Sequence, residues 1–521
     1  MSGPSPAVDG WLNNNMKTNV AIIGAGPAGL TAAYLLSKNN VDVTVLELDP
    51  VYVGGISRTA TYKGFHFDIG GHRFFSKSKE VNEFWHEILP NDMLDRPRSS
   101  RIFYGGKFFA YPLKAVEALT KLGVVKSTLC VLSYFKARLF PVKNPTNFED
   151  WVTNQFGKRL FDTFFRSYTE KVWGIPCKEI SADWAAQRIK GLSLGSAIKN
   201  ALLPQKQPKD KNKVIKTLIN SFKYPRKGPG MMWEACAEKT QQLGGKIHMG
   251  AKVVGCEYDS ATQTWTLKYK DQAGTEHTLQ SEHVISSAPM RELVNGIKPS
   301  VSDAAKKAAN SLKYRDFLTV MLILKNRDAF EDNWIYIHDP SVKVGRIQNF
   351  RSWSPEMVPD PELACYGLEY FCFENDGLWD STDEELIALA KKELIQIGLA
   401  KEGDLLDGTV VRQKKAYPVY DDDYAKHVNS VREELESRFP NLHLVGRNGM
   451  HKYNNQDHAM MTAMLCVENI LADTRLYDLW QVNGDAEYHE GGEAAVEQTT
   501  GTALRQVPSR VKAPALASEK P

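Results

Sequence analysis

The sequence predicts a mixed α/β fold with three parts. A strand, a glycine-rich turn and a helix follow one another over 20–37. Apolar residues recur at helical spacing through much of 112–205, and four strand-like stretches crowd into 318–374. Strand–turn–helix units build parallel sheets, whereas strands close together in sequence pair antiparallel. We therefore expect a Rossmann-like domain that carries an inserted helical domain and a domain built on an antiparallel sheet.

The first unit has the spacing of a dinucleotide-binding turn. Glycines without a Cβ let backbone amides approach a pyrophosphate at a helix N-terminus. The next strand-like stretch, 41–46, ends on Glu47, where a carboxylate accepts the ribose hydroxyls. A tight turn without a ligand is the alternative, and the acid at this distance favours the dinucleotide. The three glycines of the pattern are Gly24, Gly26 and Gly29.

Two further glycine pairs narrow the dinucleotide to FAD. Backbone that passes close to an isoalloxazine ring needs residues without a Cβ, and glycine pairs at strand ends supply them. A nicotinamide enzyme has less use for such pairs. The pairs are Gly54 with Gly55 and Gly70 with Gly71. Ser57 and Arg58, which follow the first pair after Ile56, are expected to contact the cofactor as well.

Composition and charge exclude several functions. The 521 residues carry a formal net charge of +3, which gives no general argument for nucleic acid. Seven cysteines without C-x-x-C spacing predict neither a disulfide scaffold nor structural zinc, and we expect no metal. The N-terminus lacks a signal-peptide pattern and no stretch is apolar enough to span a membrane, so a cytoplasmic protein is expected.

Two segments allow more than one interpretation. The most apolar helical segment, 124–140, carries Lys126, Lys136 and Arg138. These charges favour an amphipathic helix packed on the core and leave peripheral membrane contact open. The basic segment 206–216 is interpreted as a solvated loop, and attraction of an anionic substrate is its alternative.

Composition and pattern divide the chain into seven predicted parts. In chain order they are a flexible lead (1–15), a first FAD-binding part (16–111), the helical insertion with the basic loop (112–216), a second FAD-binding part (217–295), the antiparallel-sheet substrate domain (296–405), a third FAD-binding part (406–483) and a disordered tail (484–521).

These segments together resemble UDP-galactopyranose mutase and its relatives within the FAD-dependent amine oxidase and protoporphyrinogen oxidase superfamily, over about residues 18–475. The finer likeness lies in 69–75, with His72 after two glycines, in 168–176, with Trp184 and Arg188 downstream, and around Arg346. The stretches 224–230, 446–449 and 455–458 are similar to further flavin-binding elements of that family.

The resemblance implies roles for individual residues. His72 would lie beside the flavin, although it could instead cap a turn, and Arg188 and Arg346 would hold a diphosphate bidentately. Arg188 could also be a solvated helix residue, Arg226 part of a surface turn and Asp457 a plain N-cap. The implied substrate-facing aromatic residues are Tyr111, Tyr168, Trp173, Tyr336, Tyr417 and Tyr453. The implied flavin contacts are Arg226, Gly446, Arg447, Asn455, Gln456 and Asp457.

The resemblance also implies a flavoenzyme, more an isomerase than an oxidoreductase. Reduced FAD would attack a nucleotide-diphosphate sugar through N5, and the sugar adduct would open and reclose between pyranose and furanose rings. An FAD-dependent oxidase or desaturase acting on an amine, porphyrinogen or polyene is the alternative, and a flavoprotein without turnover is a third. Leu113 replaces an aromatic that some mutases place near the base, so the nucleotide stays open, as do NAD(P)H as reductant and a homo-oligomer.

Overall fold

The computed structural model describes residues 19–111, 113–180, 182, 221–327, 330–421, 423–482 and 510–513. Several sequence predictions fall on other residues. The flexible lead 1–15, Trp184, Arg188, the basic loop 206–216 and all of the tail except 510–513 lie outside the described residues.

The strands alternate with helices in the N-terminal unit and crowd together later in the chain. They are β1 (Asn19–Ile23), β2 (Asp42–Leu46), β3 (Thr59–Tyr62), β4 (Phe65–Asp68), β5 (Met93–Pro97), β6 (Ser100–Tyr104), β7 (Lys107–Ala110), β8 (Ser221–Pro225), β9 (Lys246–His248), β10 (Lys252–Asp259), β11 (Thr264–Lys270), β12 (Glu276–Ser281), β13 (His283–Ser286), β14 (Ile297–Lys298), β15 (Tyr314–Lys325), β16 (Trp334–Ile337), β17 (Arg346–Asn349), β18 (Leu363–Cys372), β19 (Leu405–Pro418) and β20 (Leu442–Leu444).

The helices are concentrated after β7 and around the parallel strands. They are α1 (Pro27–Lys38), α2 (Lys79–Ile88), α3 (Ala115–Leu122), α4 (Val124–Leu139), α5 (Phe148–Phe156), α6 (Lys158–Phe161), α7 (Ser167–Trp173), α8 (Gly230–Gln242), α9 (Met290–Gly296), α10 (Asp303–Ser311), α11 (Phe350–Trp353), α12 (Asp383–Gln396), α13 (Tyr424–Arg438), α14 (Gly446–Gly449) and α15 (Gln456–Leu471). A π-helical turn, Asp162–Arg166, joins α6 to α7.

A parallel sheet in the order β20-β13-β1-β2-β9 forms the centre of the dinucleotide-binding domain. Alternate residues of a strand point to opposite faces, and both faces of this sheet are covered. Val20 and Ile22 of β1 face a core that includes α1, α8 and α15, whereas Ala21 and Ile23 face β10, β11, α10 and α13. The predicted strand–turn–helix unit is confirmed.

A second sheet has seven strands in the order β19-β15-β18-β17-β16-β6-β7. Its pairings are antiparallel except that of β6 with β16, which is parallel. The sheet extends past the predicted range 296–405, because β6 and β7 precede it in the chain and β19 runs to Pro418. Strand pairing between distant segments leaves no periodic signal in the sequence, so the pattern could not set these limits.

The described part of the predicted helical insertion, 113–180, is mostly helical, and α4 packs on the core with one side only. The helix buries Cys130 and Ala137, whereas Leu132 and Phe135 are more than half exposed, at 59% and 56%. The prediction of an amphipathic helix packed on the core is confirmed for the side that carries Cys130 and Tyr134, whereas the large apolar residues of the other side stay exposed. Every helix among the described residues is too short or too polar to cross a membrane.

Four residues of the predicted disordered tail, 510–513, pack on the folded chain. Arg510 forms ion pairs with Glu468 of α15 and Glu80 of α2. Lys512 forms a β-bridge with Tyr477. The prediction of disorder is therefore wrong for this segment, because its arginine bridges two acids from separate helices and composition does not reveal such a partner.

Candidate active site

A cavity of about 470 Å³ lies at the carboxyl ends of the parallel strands. Gly24, Glu47 and Ser287, which follow β1, β2 and β13, line it. Open α/β sheets bind ligands at this edge, because the turns after the strands leave a crevice there. The antiparallel sheet closes the opposite side of the cavity with residues of β16, β17 and β19, namely Trp334, Tyr336, Arg346 and Tyr417.

Most of the predicted site residues meet in this cavity. Those that line it are Gly24, Gly26, Glu47, Gly55, Ser57, Gly71, His72, Tyr336, Arg346, Tyr417, Gly446, Arg447, Tyr453, Asn455 and Gln456. Gly54 and Gly70 adjoin lining residues and have φ of +93° and +90°, values that favour glycine. The two glycine pairs thus make the turns that carry Gly55 and Gly71 into the cavity wall.

Glycine is needed at different positions of the first turn for different structural reasons. A Cβ on Gly29 would lie 1.8 Å from the carbonyl oxygen of Gly24, so this glycine lets α1 pack against the strand and does not line the cavity. A Cβ on Gly26 would meet nothing closer than the Cα of Gly55, at 4.0 Å. The protein therefore has room for a side chain at Gly26, and the open space there suits a ligand that needs close backbone approach.

Glu47 is positioned by backbone amides. Its Oε2 accepts from the amide of Ala25 at 2.5 Å and its Oε1 accepts from that of Asp49 at 2.8 Å. Burial raises the pKa of the carboxyl, and these two hydrogen bonds oppose the shift. The acid is held at the end of β2, where a ribose would meet it.

His72 is a neutral imidazole in the cavity wall. Its Nδ1 lies 3.1 Å from the carbonyl oxygen of Gly70. Burial lowers the pKa of His72 to about 3, and the nearby charges of Arg447 and Arg346 add to the shift. A neutral ring that faces a carbonyl through Nδ1 must carry its proton there, so Nδ1 donates to Gly70.

Arg346 is oriented by a buried acid on the neighbouring strand. Its Nε donates to Oε2 of Glu369, whose side chain is fully buried, and the amide of Gln348 donates to Oε1 at 2.6 Å. Burial lowers and Glu369 raises the pKa of the guanidinium, and the net result lies well above its usual value. Arg346 therefore stays charged in the cavity wall.

The aromatic residues form two rows. Tyr417 and Tyr453 stack with their ring centroids 5.7 Å apart, and the Arg447 guanidinium lies over both rings at 5.3 and 5.1 Å. Tyr336 lines another part of the wall. The remaining predicted aromatics do not line the cavity but contact these rings: Tyr111 and Tyr168 lie 4.6 and 5.5 Å from Tyr336, and Trp173 lies 6.2 Å from Tyr453.

Polar atoms in the cavity wall match what a flavin dinucleotide requires. Ser57 Oγ, Asn455 Nδ2 and Gln456 Nε2 are buried and bond to no other described residue. Buried polar groups are normally satisfied, and a donor without a protein partner at a cavity suits a ligand oxygen. Together with the glycine turns and Glu47, these donors fit the pyrophosphate, ribitol and ring carbonyls of FAD.

Two of the predicted cofactor residues, Arg226 and Asp457, lie differently from expectation. Arg226 is away from the cavity and forms ion pairs with Asp92 and Glu356 at 3.2 and 2.7 Å, so it is a surface-turn residue. Asp457 lies in the first turn of α15 beyond the N-cap, Asn455, and accepts from the Ser76 hydroxyl at 3.1 Å. The N-cap alternative for Asp457 is therefore wrong.

Arg58 lies behind the cavity wall. It donates to the Gly55 carbonyl at 3.0 Å and to Oε1 of Gln413 at 2.5 Å, and it does not line the cavity. Gln413 does line it. Arg58 thus supports the glycine turn from behind and does not face the cofactor space.

Sequence reasoning missed Glu369 and part of the aromatic wall. Trp334 and Trp353 line the cavity and stack 5.3 Å apart, and the guanidinium groups of Arg73 and Arg98 lie 6.0 and 5.7 Å from the Trp334 ring. Glu369 left a usable signal, because an acid inside the apolar stretch 363–372 needs a buried partner. The tryptophans left none, since buried aromatics are common in any core.

Comparison with known proteins identifies flavoprotein relatives of this chain. The family model described as flavin containing amine oxidoreductase matches residues 27–446. Coproporphyrinogen III oxidase of Staphylococcus aureus (strain NCTC 8325 / PS 47) is 21% identical in an alignment 460 residues long, which covers 83% of this chain and 94% of that protein. dTDP-fucopyranose mutase of Escherichia coli is 25% identical in an alignment 179 residues long, which covers 31% of this chain and 44% of that protein.

Among solved structures, that of reduced UDP-galactopyranose mutase is similar to this chain, with a TM-score of 0.76 and 22% identity. The likeness covers 91% of this chain and 99% of that one. At this identity the comparison shows a shared fold and leaves the reaction open.

Proposed function

Because this chain belongs to the flavin containing amine oxidoreductase family, we propose that it is an FAD enzyme acting on a nucleotide-diphosphate sugar. The proposed reaction interconverts pyranose and furanose rings of the sugar, as in a UDP-galactopyranose mutase. Its support is the fold shared with such a mutase and the chemistry of the cavity wall beside His72.

The residues proposed to hold FAD lie at the carboxyl edge of the parallel sheet. The glycine turns and the amide groups of Asn455 and Gln456 would contact the pyrophosphate and ring, and Glu47 would accept the ribose hydroxyls. When bound in its reduced form, FAD supplies the nucleophile for a redox-neutral exchange at the sugar. An external NAD(P)H as the source of electrons belongs to this proposal.

The observation that carries the proposal is the cationic and hydroxyl-rich lining of the cavity. Arg346 and Arg447 line it together with three tyrosines. Two guanidinium groups from separate segments suit a diphosphate, because each can pair with phosphate oxygens. A site for hydride abstraction from an apolar substrate would need fewer cations. Arg188, beyond the described residues, is proposed as a further diphosphate ligand.

The chain's own residues then have simple tasks. Glu369 orients the Arg346 fork, and Gly70 accepts the Nδ1 proton of His72, which fixes the ring in the wall. His72 remains neutral, so it tunes its surroundings as a dipole and transfers no proton. The tyrosine pair limits where Arg447 points, because the guanidinium lies over both rings. Such preorganised groups stabilise a leaving diphosphate without rearrangement.

An oxidase or desaturase is the second candidate. It is favoured by the sequence likeness to coproporphyrinogen III oxidase, which extends over 83% of this chain. The stacked Trp334 and Trp353 also give the cavity one broad aromatic surface that an apolar substrate could contact.

One experiment separates the two candidates. The purified protein is reduced with dithionite and incubated with UDP-galactopyranose or dTDP-fucopyranose, and the ring forms are resolved by chromatography. Conversion by the reduced protein only supports the mutase. Oxygen consumption with an amine or a porphyrinogen, without conversion of either sugar, would overturn the proposal. Arg346→Ala should lower the conversion of the sugar. Arg226→Ala, which removes an arginine outside the cavity, is the control for this variant.

A further inference from the structure

The outer side of α4 exposes large apolar side chains in a continuous stripe. Val125, Leu129, Leu132, Phe135 and Leu139 recur at helical spacing and are between 36% and 74% exposed. We call these five residues the α4 face. Of the seventeen large apolar residues that are exposed in the described chain, eight fall within 124–142. Scattered apolar residues on a surface are ordinary, but a concentration of this kind marks an interaction site.

The packing of α4 keeps this stripe outward. The inner side carries the buried Cys130 and Ala137. Gly157, between α5 and α6, permits a close backbone approach, since a Cβ there would lie 2.6 Å from the Tyr134 nitrogen. Turning the helix to bury its large side chains would break this close contact between its backbone and Gly157. The packing of α4 on the rest of the chain thus leaves the α4 face exposed to solvent.

The charges around the α4 face have one sign. Lys126 and Arg138 lie on its two flanks, Lys136 lies within it and Lys143 follows the helix. The sequence has no acid between Glu117 and Glu149. None of these four cations forms an ion pair with another residue in the described parts of the chain. The long stems of lysine and arginine can lie along an apolar surface while their charges reach outward.

We propose that the α4 face docks this protein on an anionic lipid bilayer. The helix would lie in the plane of the interface, with its apolar side chains among the acyl chains and its cations at the phosphate groups of the lipids. A second copy of this chain is a poorer occupant, because two such faces would bring like charges together. This proposal does not depend on the reaction proposed above.

The test is sedimentation of the full FAD-bound protein with vesicles. Wild type is expected to pellet with equal parts of phosphatidylcholine and phosphatidylglycerol and to bind phosphatidylcholine alone more weakly. Leu132→Ser with Phe135→Ser should lower the partition coefficient about a hundredfold, since each buried apolar side chain contributes roughly a factor of ten or more. Lys126→Gln with Arg138→Gln should remove most of the preference for the anionic vesicles.

Matched controls keep the result interpretable. Leu471 and Leu476 are 43% and 41% exposed on another part of the chain and lie outside the cavity, so Leu471→Ser with Leu476→Ser should leave vesicle binding unchanged. Flavin content reports whether each variant is folded. Wild type that stays in the supernatant overturns the proposal, as does equal pelleting of the Leu132 and Phe135 variant. Self-association that this variant abolishes, without vesicle binding, would identify an interface between copies instead.

Discussion

Replacing Arg346 by alanine should reduce both folding stability and substrate affinity, for separate reasons. Glu369 is fully buried and the Arg346 side chain is 13% exposed, so their ion pair is largely shielded from water. Removing one partner of a buried pair costs about 3–5 kcal/mol of unfolding free energy, because the other charge is left behind. Each charge-assisted hydrogen bond lost to a phosphate contributes about 1.5–3 kcal/mol, so Kd for the nucleotide sugar should rise at least about tenfold.

A second substitution separates the two losses. Arg346→Ala combined with Glu369→Gln removes the stranded carboxylate, while the Gln348 amide still has an oxygen to which it can donate. The double variant should recover most of the lost stability and keep the weak nucleotide affinity. Urea unfolding followed by tryptophan fluorescence measures the first, and titration of the flavin absorbance with UDP-galactose measures the second.

Two results would refute this reasoning. If the double variant were no more stable than Arg346→Ala, Glu369 would not be a buried charge that needs its partner. If Arg346→Ala bound the nucleotide sugar as wild type does, the guanidinium would have no part in substrate binding. Arg226→Ala should affect neither quantity by more than about 0.5 kcal/mol, because its ion pairs are on the surface.

Two further substitutions test the cofactor end of the cavity. Gly26→Ala should leave the stability of the flavin-free protein within about 0.5 kcal/mol of wild type and lower the flavin content, read from absorbance, at least about tenfold. The reason is that the added methyl group fits the protein but fills the pyrophosphate space. Gly29→Ala, whose methyl group would meet the Gly24 carbonyl, should instead destabilise the fold, and a fully yellow Gly26→Ala protein would contradict the assignment. His72 has a pKa of about 3 in the folded chain and about 6.5 in the unfolded one, so only the unfolded state gains a proton as the pH falls between those values. Stability is therefore lost below pH 6.5, and His72→Gln should reduce the loss between pH 7 and 5 by about 2 kcal/mol in urea unfolding, whereas identical pH curves would count against a neutral His72.

The fold class and the superfamily could be predicted because their signals are local. The strand, glycine turn and helix of residues 19–38 are adjacent in the sequence, and the acid at Glu47 follows within one unit. The cavity brings together fifteen of the predicted site residues, since each glycine pair and each terminal motif marks a turn at the same sheet edge. The exact site roles of these residues remain predictions.

What the sequence could not predict depends on partners distant in the chain. Arg226 has the same sequence surroundings whether it faces a flavin or a solvent-exposed acid, and its two acids come from residues 92 and 356. Helical periodicity in α4 identifies an apolar stripe but not the side of the helix that meets the core. Glu369 is assigned to Arg346 only once β17 and β18 are paired in register.

The cavity takes its walls from segments far apart in the chain, with Gly24 after β1 and Gly446 after β20. A ribosome must therefore deliver the chain past residue 446 before the complete pocket for the flavin exists. Until β20 joins β13, and β19 joins β15, the nascent protein exposes unpaired strand edges that invite aggregation. Cofactor loading is consequently a late event of biogenesis, and a prematurely terminated product ending before β19 will be colourless.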